Sequence, residues 1–366
     1  MVKHLNFAVI GCGRIAPHHI GAIHQIPQAK LAMVADIVPE RAQAFGERYG
    51  VPWATDYCDV LEREGIDVVN ICTPSGLHAQ MAIEAARAGK HVVVEKPMAL
   101  TLEDADAMIA TAAEHGVTLA VVFQNRFNPT VRDLREALEQ GRFGKLTHGN
   151  AAVRWYRDQD YYDEDEWRGT WALDGGAFMN QAIHNIDLLQ WMLGPVKKIG
   201  AFTATALREM EAEDVGAAVL HFSNGSIGII EAATTIYPDN LEETLSIFGE
   251  SGTAVIGGVA INRMRYWRFA DGLDQEEKVL RSHNVPEPTT VYGHGHRPLL
   301  QNVVNAIFGH EKLLVDGAEG RKALEIILAA YLSAEKGEMV EFPLKTMPGK
   351  IAQGRARLME KSGHAQ

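Results

Sequence analysis

Between residues 6 and about 124, short apolar runs alternate with stretches of helical periodicity. Runs at 7–10, 31–35, 68–72, 91–94 and 119–123 predict strands, and segments around 16–25, 39–49, 77–88 and 102–114 predict helices. Strand and helix in strict turn imply a parallel sheet, and Gly89 and Gly116 stand where the last two helices should stop. After Asn128-Pro129 the pattern changes. One amphipathic helix over 130–139 precedes runs of alternating character at 200–206, 215–222, 226–234 and 244–249, with a turn at Ser223-Asn224-Gly225. This predicts a mostly antiparallel sheet with one packed face, followed by helices around 298–308 and 318–334 that return to pack near the first domain. The fold class expected is α/β plus α+β. The expected divisions are a dinucleotide-binding domain over 1–124, a second domain for substrate and oligomerisation over 125–345, and a basic, loosely ordered tail over 346–366.

Composition narrows the function more than the fold. With 46% hydrophobic and 22% charged residues the chain has an ordinary globular balance, and no apolar run is long enough to span a bilayer. The formal charge of −12 argues against a nucleic-acid surface, whereas an anionic small molecule needs only a few local donors. The amino terminus enters its first strand without a secretory pattern, so a cytoplasmic location is the expectation. Cys12, Cys58 and Cys72 lack metal-ligand spacing and are expected to be buried thiols.

Gly11-Cys12-Gly13-Arg14-Ile15-Ala16 follows the first strand and opens a helix, as a dinucleotide-binding fingerprint requires. Gly11 permits the tight turn, Gly13 lets a pyrophosphate approach the backbone, and Ala16 takes the third glycine's place. Asp36, about twenty residues on, can accept from the adenine ribose diol and favours NAD over NADP, or else it caps the next helix. At two later strand ends stand Thr73-Pro74-Ser75-Gly76-Leu77-His78 and Glu95-Lys96-Pro97. Thr73 and Ser75 suit cofactor contact or helix capping. Lys96, if desolvated beside a cationic nicotinamide, would favour its neutral form and suit proton abstraction; an ordinary surface lysine is the alternative.

The segment 175–187 places Asn180, His184 and Asp187 at i, i+4 and i+7, one face of an expected helix whose other residues belong in a core. Together with the glycine turn and Glu95-Lys96-Pro97, this segment resembles the glucose-fructose oxidoreductase, inositol dehydrogenase and rhizopine-catabolism (Gfo/Idh/MocA) family over about residues 5–345. The resemblance implies a Rossmann domain, an open antiparallel sheet domain, and an active site between them in which Lys96 and His184 are the catalytic residues. Trp167-Arg168-Gly169-Thr170-Trp171, the run 174–182 and Tyr292-Gly293-His294-Gly295-His296 resemble a group within the family that oxidises UDP-N-acetylglucosaminuronate at C3. For that group the resemblance implies NAD as cofactor, a UDP-sugar substrate, precursor supply for surface polysaccharides, and a homotetramer. Many relatives carry aspartate where this chain has Asn180, and an amide cannot act as the base.

Asp187 is expected to hold the His184 tautomer or pair with a backbone donor, support being the favoured role. The aromatic and acidic loop 155–167 reads as a solvated face, from which Tyr156, Tyr161 and the forked Arg168 can line a sugar or nicotinamide pocket. His294 and His296, an i, i+2 pair without a carboxylate nearby, point to diphosphate hydrogen bonding or a plain surface loop, and no metal is expected. The substrate set is therefore Lys96, Asn180, His184, Arg168, Tyr156, Tyr161, His294 and His296. The cofactor set is Gly11, Gly13, Arg14, Ile15, Asp36, Thr73, Ser75, His78, Glu95, Lys96, Gln124 and Arg168. A free sugar or cyclitol is the alternative substrate. A non-catalytic metabolite sensor is a further alternative, which would need the pockets but not the Lys96 and His184 pair.

Overall fold

The computed structural model describes residues 4–283 and 291–363. The chain divides into two compact units, one of residues 1–124 with 296–321 and the other of residues 125–295 with 322–366.

The first unit opens with β1 (Leu5–Ile10), α1 (Ala16–His24), β2 (Ala29–Ala35), α2 (Pro39–Tyr49), β3 (Trp53–Ala54) and α3 (Cys58–Glu62). It continues with β4 (Val68–Ile71), α4 (His78–Arg87), β5 (His91–Val94), α5 (Leu102–Glu114) and β6 (Leu119–Val121). The strands lie in the order β3-β2-β1-β4-β5-β6, and every pairing is parallel. That order reverses between β1 and β4, the point at which an open α/β sheet offers a ligand crevice. Buried on both faces, β4 and β5 are almost wholly apolar and rich in valine, which a covered parallel strand requires. Neither β3 nor α3 is evident from periodicity, because two and five residues carry too little of it.

The second unit begins with α6 (Pro129–Glu139), β7 (Leu146–Arg154), α7 (Gln159–Asp163) and α8 (Ile183–Leu193). Its sheet adds β8 (Val196–Ala204), β9 (Val215–Phe222), β10 (Ile227–Ala233), β11 (Glu242–Gly249), β12 (Gly252–Gly257) and β13 (Arg263–Phe269), and α9 (Glu276–Ser282) follows. The last elements along the chain are α10 (His296–Ile307), α11 (Gly317–Lys336), β14 (Val340–Glu341) and α12 (Gly349–Gly363). The second sheet runs β13-β12-β11-β7-β10-β9-β8-β14 and is antiparallel except where β10 pairs with β7. Leu220, Phe222, Ile230 and Ala232 fill its packed face, while Phe202, Val219, Ile227 and Ile229 share the exposed one.

Two expectations need correction here. The tail expected to be loosely ordered forms α12, anchored by the buried Ile351 and by Glu335, whose carboxylate accepts from the backbone N–H groups of Gly349 and Lys350; residues 364–366 lie outside the described residues. Of the three cysteines, Cys12 and Cys72 are buried but Cys58 is exposed.

Candidate active site

In the first unit, the glycine turn follows β1. Gly11 adopts φ 95°, and a side chain there would meet the Cys72 carbonyl oxygen at 2.6 Å, so both conformation and space demand glycine. Gly13 faces open space on its side-chain side, leaving its backbone approachable, and α1 starts without a side-chain cap among the described residues. The N–H groups of its first turn already donate to the Gly13 and Ile15 carbonyls, so what α1 offers an anionic phosphate is the positive end of its dipole beside the glycine turn. Arg14 is exposed and Ile15 half-buried. Asp36 is 9% exposed and does not cap α2 from the N-cap position, which Val38 occupies. One Asp36 oxygen accepts from the Cys12 N–H at 2.7 Å, and the other accepts from the Val38 N–H at 2.9 Å. A carboxylate offers about four acceptor sites, so a ribose diol can still be bound. Burial and the Asp36 charge push the Cys12 thiol up to about 12, which makes it inert. These features fit a dinucleotide.

At the ends of β4 and β5 the structure ties two loops together. The His78 ring is buried and bridges the Pro97 carbonyl (Nδ1, 2.8 Å) and the Thr73 carbonyl (Nε2, 2.9 Å). Burial lowers its proton affinity against the pull of those carbonyls, and the neutral ring, which donates to one carbonyl at a time, packs between the two loops as a brace. Thr73 and Ser75 do not cap α4; the Thr73 hydroxyl donates to the Met81 sulfur at 3.5 Å, and Ser75 is buried. Lys96 is half-buried and joined to Pro97 by a cis peptide. Its backbone N–H donates to Glu95 Oε2 at 3.2 Å, and Glu95 Oε1 lies 2.9 Å from His19 Nε2 and 3.9 Å from His296 Nε2. Burial opposes the Glu95 charge, but the His19 hydrogen bond and the facing His296 hold its carboxyl well below the usual range. Gln124 is buried just beyond β6.

The His294-Gly295-His296 expectation therefore changes. His296 is not a surface residue without a carboxylate: it opens α10, is 5% exposed, and stands beside Glu95 and His19. His294 is exposed. Nothing in the spacing of residues 19, 95 and 296 announces their meeting, because three separate elements bring them together.

In the second unit, the single helix expected over 175–187 is two pieces. A π-helical turn over Ala177–Gln181 ends at Ala182, and α8 starts at Ile183. The Ala182 N–H reaches back to the Ala177 carbonyl, which widens the turn and breaks the i, i+4 relation assumed between Asn180 and His184. Glu213 shapes this turn. Its Oε1 accepts from the Phe178 N–H at 2.8 Å and from the Tyr331 hydroxyl at 3.0 Å, and any side chain at Gly176 would collide with Glu213. The Asn180 amide donates to Asp174 Oδ1, and its oxygen accepts from Gln181 Nε2 at 2.9 Å. Gln181 Nε2 also donates to the Tyr161 hydroxyl at 3.2 Å, and the Arg168 guanidinium lies 4.3 Å from the Tyr161 ring centre. Asn180, Tyr161 and Arg168 thus belong to one network.

Arg168 is already engaged: Asp165 accepts from its Nε at 3.2 Å and its Nη2 at 3.1 Å, with Glu164 at 3.7 Å. Tyr156 forms a bridge with Thr235 and lies under Arg208. His184 is half-buried at the second position of α8. Asp187 makes a buried bidentate pair with Arg126 at 2.6 and 2.7 Å, a partner absent from both sequence expectations. Asp174 and Gln181 were missed as functional neighbours. Both stand in the motif around Asn180, but the loop geometry that joins them has no period to read.

Comparison with known proteins agrees with this architecture. Residues 5–123 match the Gfo/Idh/MocA oxidoreductase family's NAD-binding Rossmann fold, and residues 131–255 match the Gfo/Idh/MocA C-terminal domain. The chain is similar to the WlbA dehydrogenase of Bordetella pertussis, solved with NADH and UDP-GlcNAcA. The two are 43% identical with a TM-score of 0.88, over 94% of this chain and 99% of that one. It is also similar to the WlbA dehydrogenase of Chromobacterium violaceum, solved with the same two ligands, at 40% identity and TM-score 0.87 over 94% and 97% of the chains. A scyllo-inositol 2-dehydrogenase (NAD(+)) of Bacillus subtilis is 31% identical over 94% of this chain and 98% of its own.

Proposed function

Since the chain belongs to the Gfo/Idh/MocA oxidoreductase family and carries its NAD-binding domain, we propose that it oxidises the C3 hydroxyl of UDP-N-acetyl-2-amino-2-deoxy-D-glucuronate to the 3-keto sugar. The observation that carries this substrate is the near full-length likeness to WlbA structures holding UDP-GlcNAcA. The product would feed surface-polysaccharide precursors. NAD, held by the Gly11–Ile15 turn and Asp36, supplies the two-electron acceptor when bound.

The chain's own residues manage the proton and the pose. Lys96, alone or with His184, takes the hydroxyl proton as the C3–H bond is cleaved. Asn180 orients a sugar hydroxyl through its oxygen, whose direction is fixed because the amide nitrogen is committed to Asp174. Tyr161 and Arg168 share that network and extend it toward substrate. The exposed apolar strip of Phe202, Val219, Ile227 and Ile229 is the surface a homotetramer would cover. No described helix is long and apolar enough to cross a membrane, and a cytoplasmic enzyme remains the reading we favour.

Single-turnover mixing of NAD-loaded protein with UDP-N-acetylglucosaminuronate tests the substrate: NADH absorbance should rise. No reduction by intact, NAD-binding protein would sink the assignment. The likeness to an inositol dehydrogenase favours a second reading, oxidation of a free cyclitol or sugar. A kcat/KM that is larger for myo-inositol, scyllo-inositol or a free uronic acid than for the nucleotide sugar would establish that reading.

A further inference from the structure

We propose that His19, Glu95 and His296 form a binding site for one divalent cation of the zinc class, a property separate from the dehydrogenase reaction proposed above. Three elements converge on it: α1 supplies His19, the end of β5 supplies Glu95, and the first residue of α10 supplies His296. One ligand atom from each lies within 4.8 Å of the others. The residues are 0%, 7% and 5% exposed, so these atoms meet inside the first unit.

Ligand type and spacing both fit. Two imidazoles and a carboxylate are a standard donor set for zinc, whose bonds of about 2.0–2.2 Å in tetrahedral geometry separate ligand atoms by roughly 3.3 Å. The observed separations from Glu95 Oε1, 2.9 Å to His19 and 3.9 Å to His296, bracket that value, so small side-chain movements would bring all three to bonding distance. A metal-bound imidazole normally donates its other N–H to an acceptor. Asn70, fully buried, places its amide 2.8 Å from His19 Nδ1. A half-turn of that amide presents its oxygen to the Nδ1–H and leaves the Nε2 lone pair directed at the cluster. His18 packs beside His296 with ring centres 5.6 Å apart, which steadies the second imidazole. A water completes the coordination. The cation would tie α10 to the strand end whose next residue is Lys96, so it would act as a brace, with no part in electron transfer.

The test uses untagged, full-length protein stripped with chelator and titrated with Co2+, a spectroscopic substitute for Zn2+. The expected result is about one Co2+ per chain, the intense visible ligand-field bands of a low-coordinate site, and loss of those bands when Zn2+ is added. His296→Gln and Glu95→Gln should each weaken the signal's apparent affinity at least tenfold, whereas His310→Ala, an exposed histidine of the same unit, should leave it intact. Far-UV circular dichroism and the thermal unfolding transition report whether each variant is folded. A spectrum indistinguishable from hydrated Co2+, or a signal that survives both substitutions, would overturn the proposal. In that case the three residues act only as a hydrogen-bonded network. If one variant does not fold, the other variant and the wild-type spectrum still decide the matter.

Discussion

The Arg126–Asp187 pair yields the sharpest quantitative expectation. Both side chains are essentially solvent-free, at 0% and 1% exposure, and two hydrogen bonds of 2.7 and 2.6 Å join them. The guanidinium also lies 4.8 Å from the Trp191 ring centre. Asp187→Asn keeps the shape but leaves a buried guanidinium without its counter-charge, which costs about 3–5 kcal/mol. For a unit of this size about 1 kcal/mol corresponds to roughly 2–4 °C, so the melting temperature should fall by roughly 6–20 °C. Trp fluorescence follows the loss well because Trp191 sits on the perturbed charge. Replacing both partners, Arg126→Met with Asp187→Leu, should recover much of the stability, since removing the pair also removes its desolvation cost. At a temperature where Asp187→Asn is folded, hydride transfer should stay within about tenfold of wild type, a small loss beside the 10²–10⁴-fold contribution of a general base. A melting shift under about 2 °C would refute the electrostatic argument. A loss of turnover without destabilisation would show that Asp187 takes part in the reaction.

Lys96→Met should lower single-turnover hydride transfer by about 10²–10⁴-fold while NADH binding, followed by fluorescence quenching, is retained. Asp36→Ala should raise the NAD dissociation constant about tenfold or more and narrow the preference over NADP; unchanged titration curves would remove Asp36 from the ribose site. Stability should also depend on pH through two buried carboxyls. Burial pushes Glu243 from 4.5 up to about 8 and Glu213 up to about 7. Each therefore binds its proton more tightly folded than unfolded, so its contribution is complete below about pH 4.5 and is lost as pH rises through the folded value. Glu243→Gln, permanently neutral, should flatten the melting temperature against pH between about pH 4.5 and about pH 8, where wild type declines; parallel curves would refute the assignment. Glu213→Gln should weaken substrate binding more than NAD binding, because Glu213 holds the turn that carries Asn180.

The sequence by itself determined the Rossmann half almost element by element, because valine-rich strands, helical periodicity and glycine stops are local properties. It also determined Lys96 and Asp36 as candidates, since a strand end and a fixed distance from the glycine turn are one-dimensional facts. β7 escaped notice even though it lies at the centre of the second sheet, where β10 and β11 flank it; its burial alternates too weakly to mark a strand. Only the tertiary structure decided how side chains from distant segments pair. It turned the helix expected over 175–187 into a π turn and a separate α8, because Glu213 captures the Phe178 N–H and leaves room for no side chain at Gly176. It gave Asp187 to Arg126, and it brought His296 to Glu95 and His19. Local periodicity records which face of an element is apolar, whereas a buried polar group must find its partner wherever the packed chain provides one.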